Sequence, residues 1–213
     1  MIPLANADEV RRRARSVSDW LLREASAPRH MSIMVIDVTG FGRLDNRDQT
    51  LVRAELNTMV RHAFRRAGIR WSMDVENRGD GMIVLVPPTK STVNLLDPVL
   101  PTLAAHVRRH NQSALPRIRL RISVHVGPLE RDATGWVGSD LVTACRLVDS
   151  PAVRRYLAQR PSEDVLVVAS DLVYSSIVRQ RYRRLDPAAY EPVHVSVKEL
   201  RTRAWLHVPA LTG

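Results

Sequence analysis

Two kinds of apolar pattern alternate along the chain, and together they predict a mixed fold. In some segments apolar side chains recur every three to four positions, the period of an amphipathic helix. The helical segments are residues 8–26, 46–67, 93–110, 139–158 and 170–178. The segments between them are short apolar or alternating runs typical of strands. These are residues 33–36, 69–75, 82–86, 117–126, 165–169, 193–197 and 204–208. Their order predicts an α+β domain with a central, mostly antiparallel sheet flanked by helices.

Two segments allow finer predictions. The helix at 46–67 is expected to bury one face and to end at Gly68. The residues predicted on that face are Leu51, Ala54, Leu56, Met59, Val60 and Phe64. Residues 117–126 alternate polar and apolar side chains almost perfectly, which predicts a strand buried on one face only. Gly127 and Pro128 are expected to end it.

Size and composition narrow the class of protein. A chain of 213 residues, 45% of them hydrophobic, can form one domain with a substantial core. No apolar run approaches the ~20 residues of a membrane span, and charged residues such as Asp8 and Arg11 lie where a signal peptide would be apolar. A single cysteine, Cys145, excludes an internal disulfide framework. We therefore expect a cytoplasmic protein with no membrane partner, comprising an N-terminal amphipathic helix (1–29) and one domain (30–213).

The charge balance indicates an anionic partner. Thirty-two Lys and Arg against 22 Asp and Glu give a net charge of +10. A basic surface is compatible with nucleic acid, but the sequence has no zinc-finger spacing, basic zipper or aromatic RNA-binding motif. Anionic nucleotides are attracted to positive clefts as well. We therefore do not expect nucleic acid to be the partner.

The strongest candidate chemistry is a pair of aspartates at glycine turns. Asp37 follows the apolar run at 33–36 and precedes Val-Thr-Gly-Phe, and Asp80 lies between Gly79 and Gly81 before the next strand. An isolated Asp-Gly is usually only a turn. Two strand-end carboxylates separated by one helix, however, could converge on oxygen-preferring metal ions and a polyphosphate.

At this point five motifs resemble those of the class III nucleotidyl cyclases, the catalytic domains of adenylate and guanylate cyclases. They occur in the family's order over roughly residues 30–208. The first two are Val-Ile-Asp-Val-Thr-Gly-Phe at 35–41 and Asn-Arg-Gly-Asp at 77–80. The others are Ile-Ser-Val-His-Val-Gly at 122–127, a Gly-Ser-Asp-Leu-Val-Thr-Ala-Cys-Arg helix at 138–146, and Val-Ser-Val-Lys at 195–198 with Thr-Arg-Ala-Trp at 202–205. The resemblance is to a divergent, stand-alone bacterial form.

The resemblance implies a fold, an activity and a site. The fold would be a cyclase-like domain with a ferredoxin-like core, acting as a homodimer. The ribose 3′-hydroxyl of a nucleoside triphosphate would attack the α-phosphorus and expel pyrophosphate. The implied roles are metal ligation of two Mg²⁺ or Mn²⁺ ions by Asp37 and Asp80, phosphate binding by the main chain of Val38, Thr39, Gly40 and Phe41, stabilisation of the α-phosphate by Arg146, and neutralisation of the β- and γ-phosphates by Lys198. Arg146 would come from the partner subunit. His125 is expected to be structural.

Departures from the family pattern leave two questions open. The family's ribose-orienting Asn falls on Val142, which cannot hydrogen-bond through its side chain, and Thr143 lies ~100° away on a helix. The first alternative is therefore a catalytically impaired module that binds nucleotide or dimerises. The base-selecting positions are Glu76, as in guanylate cyclases, and Gly135. The second alternative is thus a pyrimidine substrate, held by main chain and by stacking on Trp136. The Pycsar-type cyclases of antiviral defence also use pyrimidine nucleotides.

Overall fold

The protein is described here by a computed structural model covering residues 27–69 and 73–209. The predicted helix at 8–26 lies outside the described residues. One eight-stranded sheet forms the centre of the domain, in the order β2-β3-β1-β4-β6-β8-β7, with β5 paired to β4. The strands are β1 (Arg29–Val38), β2 (Asp74–Asn77), β3 (Gly81–Val86), β4 (Leu120–Arg131), β5 (Trp136–Val137), β6 (Val165–Ser170), β7 (Glu191–Val197) and β8 (Leu200–His207). Only the pairing of β4 with β6 is parallel, so the prediction of a mostly antiparallel sheet is confirmed.

Helices cover both faces of this sheet. They are α1 (Asn46–Arg66), α2 (Leu100–Ser113), α3 (Ser139–Asp149), α4 (Pro151–Ala158) and α5 (Asp171–Val173), the last continuing as a π-helical turn over Tyr174–Val178. Helices α1, α2 and α5 pack with Met34 and Ile36 of β1 on one face. Helix α3 packs with Ile33 and Val35 of the same strand on the other face. Because the side chains of β1 alternate between the two faces of the sheet, they contribute to two separate hydrophobic cores.

Strand β4 is buried on both faces, so the prediction of a half-buried strand is wrong. Its apolar residues face α1 and α2, and its polar residues face α3 instead of water. Arg121, Ser123 and His125 are 7%, 0% and 6% exposed. The hydroxyl of Ser123 donates to the carbonyl of Ala144 at 2.8 Å, and Nε2 of His125 lies 2.9 Å from Oδ1 of Asp140. Buried polar groups are usually paired. Helix α3 provides the partners of Ser123 and of Nε2 of His125, and Asp37 of β1 provides that of Arg121, while Nδ1 of His125 is buried without a hydrogen-bond partner.

Other boundaries depart from the sequence predictions for local reasons. Gly127 and Pro128 do not end β4. Strand β6 pairs only with the first five residues of β4. The edge of β4 that faced β6 is therefore free from that point on, and a free edge tolerates proline. Gly127 instead leaves room for Asp140, whose Cγ would lie 2.1 Å from an added Cβ.

The predicted helices also need adjustment. The helix predicted at 93–110 is regular only from Leu100, after Pro98 and a non-helical Asp97. The segment 139–158 divides at Ser150, whose side chain caps α4. On α1, Leu51 and Ala54 are exposed, and Val52 and Ala63 are buried in the core instead.

No helix within the described part of the chain is long and apolar enough to cross a membrane. The features that position the site are the ends of β1 and β3 and the face of the sheet covered by α3.

Candidate functional site

The two aspartates are brought together by the antiparallel pairing of β1 and β3. Asp37 lies opposite Gly81, the residue after Asp80. The amide of Val38 donates to the main-chain carbonyl of Asp80 at 2.9 Å. A Cβ at Gly81 would lie 2.0 Å from the carbonyl oxygen of Ile36, so only glycine permits this close approach of the two strands. Asp37 and Asp80 line the same cleft.

Asp37 has a buried ionic partner that the sequence analysis missed. Arg121 lies directly opposite Asp37 in the pairing of β1 with β4. Its Nε donates to Oδ2 of Asp37 at 2.8 Å, and its Nη2 donates to the same oxygen. The side chains of Asp37 and Arg121 are 18% and 9% exposed. Both hydrogen bonds use one carboxylate oxygen, which leaves Oδ1 of Asp37 available for a further ligand.

The surroundings of Asp37 disfavour its charged form. Burial raises the pKa of Asp37 above its ordinary value, and the Arg121 guanidinium opposes that rise through its hydrogen bonds and charge. The carboxylates of Asp80 and Asp149 raise the pKa further. An acidic group held among other carboxylates gains from a nearby cation, which is the environment that a divalent metal ion would complete.

The cleft has a volume of about 690 Å³ and contains four of the predicted site residues. Asp37 and Asp80 lie at the strand ends, Arg146 comes from α3, and Lys198 from the turn between β7 and β8. Val142, also on α3, lines the cleft and is 46% exposed. The structure therefore brings the predicted metal ligands and phosphate-binding cations of one chain into a single cleft.

Basic side chains outnumber carboxylates in this cleft. Its lining includes Arg78, Arg146, Arg154 and Lys198 against Asp37, Asp80 and Asp149. Three of these cations have carboxylate partners: Nη2 of Arg146 lies 2.6 Å from Oε2 of Glu199, Nη2 of Arg78 lies 2.9 Å from Oε2 of Glu76, and Arg154 pairs with Asp149. Exposed ion pairs of this kind contribute little and exchange readily. The arginines are thus free to rearrange around an anionic ligand.

The loop after β1 offers fewer main-chain donors than the motif suggested. The amide of Thr39 donates to the carbonyl of Arg119 at 2.8 Å, and the amide of Val38 is bound to Asp80. Gly40 has a φ of 80° and precedes a 3₁₀ turn at Phe41–Arg43. Because Val38 and Thr39 are bound to the sheet, the amides of Gly40 and Phe41 are the better candidates for phosphate contacts.

Glu76 and Gly135, the two base-selecting positions implied by the resemblance, line a separate, adjoining cavity. A Cβ at Gly135 would lie 3.4 Å from Oε1 of Glu76, so the two positions are neighbours. Glu76 accepts from Nη2 of Arg78 at 2.9 Å, and Arg78 lines both cavities. Trp136 is 8% exposed and belongs to the core between α3 and the sheet, with its indole nitrogen donating to Asp74 at 2.8 Å. Its ring is therefore poorly placed to stack on a base.

The residues at the strand ends fit a hard divalent cation. No group of three His, Cys, Asp or Glu side chains capable of holding a metal is present in residues 27–69 and 73–209. Mg²⁺ commonly takes only one or two protein carboxylates and completes its coordination with water and substrate phosphates. Oδ1 of Asp37 and the exposed carboxylate of Asp80 provide such a pair.

Comparisons with known proteins agree with this geometry. No protein-family model and no curated protein matches the sequence. Among solved structures, an adenylate/guanylate cyclase/hydrolase from Silicibacter pomeroyi is 20% identical, with a TM-score of 0.62 over 86% of this chain and 98% of that one.

Two further solved structures show the same similarity. The guanylate cyclase domain of RhGC from Catenaria anguillulae, solved in complex with GTP, is 16% identical (TM-score 0.57; 85% of this chain, 98% of that one). The adenylyl cyclase CyaB from P. aeruginosa is 13% identical (TM-score 0.55; 86% and 95%). The chain has the fold of adenylate and guanylate cyclase domains.

Proposed function

We propose that this chain, with its class III cyclase fold, is a metal-dependent nucleotidyl cyclase. The reaction converts a nucleoside triphosphate to a 3′,5′-cyclic monophosphate and pyrophosphate. The ribose 3′-oxygen forms a bond to the α-phosphorus, the bond from that phosphorus to the bridging oxygen of the β-phosphate breaks, and the hydroxyl proton passes to solvent. The observation that carries the proposal is the single cleft lined by Asp37, Asp80, Arg146 and Lys198.

The basic side of the cleft suits the triphosphate. A guanidinium can bind two phosphate oxygens at once, and a flexible ammonium acts as a point charge. Arg146 would stabilise the charge that develops around the α-phosphate, and Lys198 would neutralise the β- and γ-phosphates. Arg154, which also lines the cleft, would add to the positive potential once it leaves Asp149.

The acidic side of the cleft suits the metal. Asp37 and Asp80 would hold one or two Mg²⁺ or Mn²⁺ ions, which supply neutralisation of phosphate charge and a lowered pKa for the ribose hydroxyl. Arg121 binds Oδ2 of Asp37 and would leave Oδ1 to face the metal. The amides of Gly40 and Phe41 would donate to phosphate oxygens from the adjacent turn.

The carboxylate of Glu76 favours guanine as the base of the substrate. A carboxylate accepts two hydrogen bonds, which suits the N1–H and amino groups of guanine. Gly135 has no side chain to complete a purine pocket, so a pyrimidine nucleotide, as used by Pycsar-type cyclases, is the alternative substrate. GTP and the pyrimidine nucleotides are proposed ahead of ATP.

A homodimer is part of the proposal. The resemblance implies that Arg146 serves the metal site of the partner subunit. Val142, which is 46% exposed, is an apolar side chain in the cleft lining. A two-fold interface on this face would cover it and create two equivalent sites.

Val142 also favours a second candidate function. A domain without the ribose-orienting Asn could bind nucleotide in the cleft without turning it over. The pairing of Arg146 with Glu199 at 2.6 Å fits this alternative as well, because a resting site would keep its arginine neutralised.

One experiment separates the two functions. Purified protein is incubated with each of the four NTPs and Mn²⁺ or Mg²⁺, and cyclic product is measured by mass spectrometry while NTP binding is measured by calorimetry. A cyclase yields a cyclic nucleotide, and Asp37→Asn and Arg146→Ala lower its rate by about 10²-fold or more. Arg155→Ala, an exposed arginine on α4 outside the cleft lining, serves as the control. Binding without product supports the second function, and absence of both refutes the two together.

A further inference from the structure

A second basic pocket lies on the opposite face of the sheet. It has a volume of about 500 Å³ and is formed between α1, α2 and the loop that carries Arg184. Helices α1 and α2 pack on the sheet face remote from α3, so the sheet separates this pocket from the cleft. The titratable residues that line it are His62, Arg66, His106, Arg109 and Arg184, and no carboxylate belongs to that lining.

The two histidines lie with three arginines in the lining of this pocket. Nδ1 of His62 and Nε2 of His106 lie 2.8 Å apart, so one ring must donate and the other accept. The rings meet edge to face with centroids 4.5 Å apart. The pair can carry one positive charge without breaking this hydrogen bond, because only the donating ring can be doubly protonated.

The positive charges around His106 are not balanced locally. Burial lowers the pKa of His106, and the charges of His62, Arg109 and Arg66 lower it further. Arg184, the third arginine of the lining, already donates to the buried carboxylate of Asp97 at 2.8 Å. Arg66 and Arg109 therefore present guanidinium groups to the pocket with no carboxylate in its lining to pair with them.

We propose that this pocket binds a multiply charged phosphate anion, such as pyrophosphate or the polyphosphate of a nucleotide. Guanidinium groups match phosphate oxygens in geometry and charge, and two arginines with the adjacent histidine pair provide donors from both helices. The pocket would act as a binding site separate from the cleft. The inference does not depend on the chemistry of the cleft.

The test uses imidazole carbon–proton NMR signals of His62 and His106 in the full chain, assigned with His62→Gln and His106→Gln. Pyrophosphate is titrated without divalent metal at constant ionic strength. We expect saturable shifts of both signals, and at least about tenfold weaker binding in Arg66→Gln/Arg109→Gln. Arg108→Gln, on the same helix but outside the pocket lining, is the matched control and should bind as the unmodified chain does.

Two further arms locate the source of the signal. The shifts should persist in Arg146→Ala, which weakens anion binding in the cleft. The proposal is overturned if the signals do not move, if they move equally in the double variant and the unmodified chain, or if Arg146→Ala abolishes them. It is also overturned if a short oligonucleotide shifts them and pyrophosphate does not, because the pocket would then be part of a nucleic-acid surface.

Discussion

Arg121 and Asp37 face each other across two antiparallel strands, and the guanidinium binds a single oxygen of the carboxylate with its Nε at 2.8 Å. The arrangement leaves the other oxygen free and fixes its direction. Asp37 is thus held in place without a ligand, which is the preorganisation that the proposed reactive site would require.

Removing Arg121 should destabilise the fold. Arg121→Gln leaves a mostly buried carboxylate without its partner, so the free energy of unfolding should fall by about 3 kcal/mol. Urea denaturation measures the change. Arg117→Gln breaks the more exposed pair with Asp164 (2.7 Å) and should cost no more than about 1 kcal/mol. Equal losses in the two variants would contradict a special role for the Arg121 pair.

Val142→Asn tests whether the missing amide limits catalysis. The side chain is 46% exposed and lines the cleft, so the substitution should leave stability almost unchanged. We expect the cyclisation rate to rise about tenfold or more, because an oriented amide can position the ribose. Thr143→Asn, one position along the helix and outside the cleft lining, is the control. A rate that stays the same in both variants argues against the ribose-binding assignment.

Mixed dimers test whether two subunits share each site. Asp37→Ala and Arg146→Ala proteins should each be inactive. Mixing them should restore activity, because one site per heterodimer would then keep both groups. Activity and the heterodimer fraction are measured on the same sample. If verified heterodimers stay inactive, Arg146 acts on the Asp37 of its own chain, with which it already shares a cleft.

Glu76→Lys tests base selection. A carboxylate that reads guanine loses its partner with any other base, so the substitution should lower GTP turnover far more than ATP turnover. Competition among equimolar NTPs gives the preference of the unmodified protein. A clear preference for ATP would show that the assignment of Glu76 is wrong.

Acid should remove one tertiary contact on the opposite face. The hydrogen bonds and charge of Arg184 lower the pKa of Asp97 below 3.8. A group whose pKa is lower in the folded state stabilises the fold at pH values above its unfolded-state pKa. That stabilisation is lost as the pH falls through the folded-state pKa. The urea midpoint should therefore fall more steeply below pH ~4 in the unmodified protein than in Arg184→Gln. Parallel curves would exclude a contribution from this pair.

Periodicity predicted the order of elements well and the burial of β4 poorly. An alternation of polar and apolar side chains shows that a strand has one polar and one apolar face. Whether the polar face is exposed to water depends on which other elements pack against it. Here Arg121 binds Asp37, Ser123 binds the Ala144 carbonyl and His125 lies 2.9 Å from Asp140. The sequence at 117–126 could have indicated that Arg121 points to the same face of the strand as Ser123 and His125, because the three residues are two positions apart.

The candidate site was predictable where a motif fixed both residue and turn. Asp37 lies near the end of β1 and Asp80 in the turn before β3, and the antiparallel pairing of these two strands brings them together. The sequence indicated both glycine turns, whereas the pairing of two strands separated by a helix is set by the tertiary structure. The partners of the arginines were not predictable, since an exposed pair such as Arg146 with Glu199 is set by side-chain positions alone. The contact between His62 and His106 was not predictable either, since it joins two helices through residues that are 44 positions apart along the chain.

The buried polar side chains of β4 (Arg121, Ser123 and His125) connect the carboxylate side of the cleft with the helix on its other side. One strand holds the carboxylate of Asp37 through Arg121 and holds helix α3 through Ser123 and His125. That helix carries Arg146 and the exposed Val142. A partner subunit that pressed on α3 would therefore shift Arg146, the arginine proposed to bind phosphate, and, through β4, the proposed metal ligand Asp37 in a single movement.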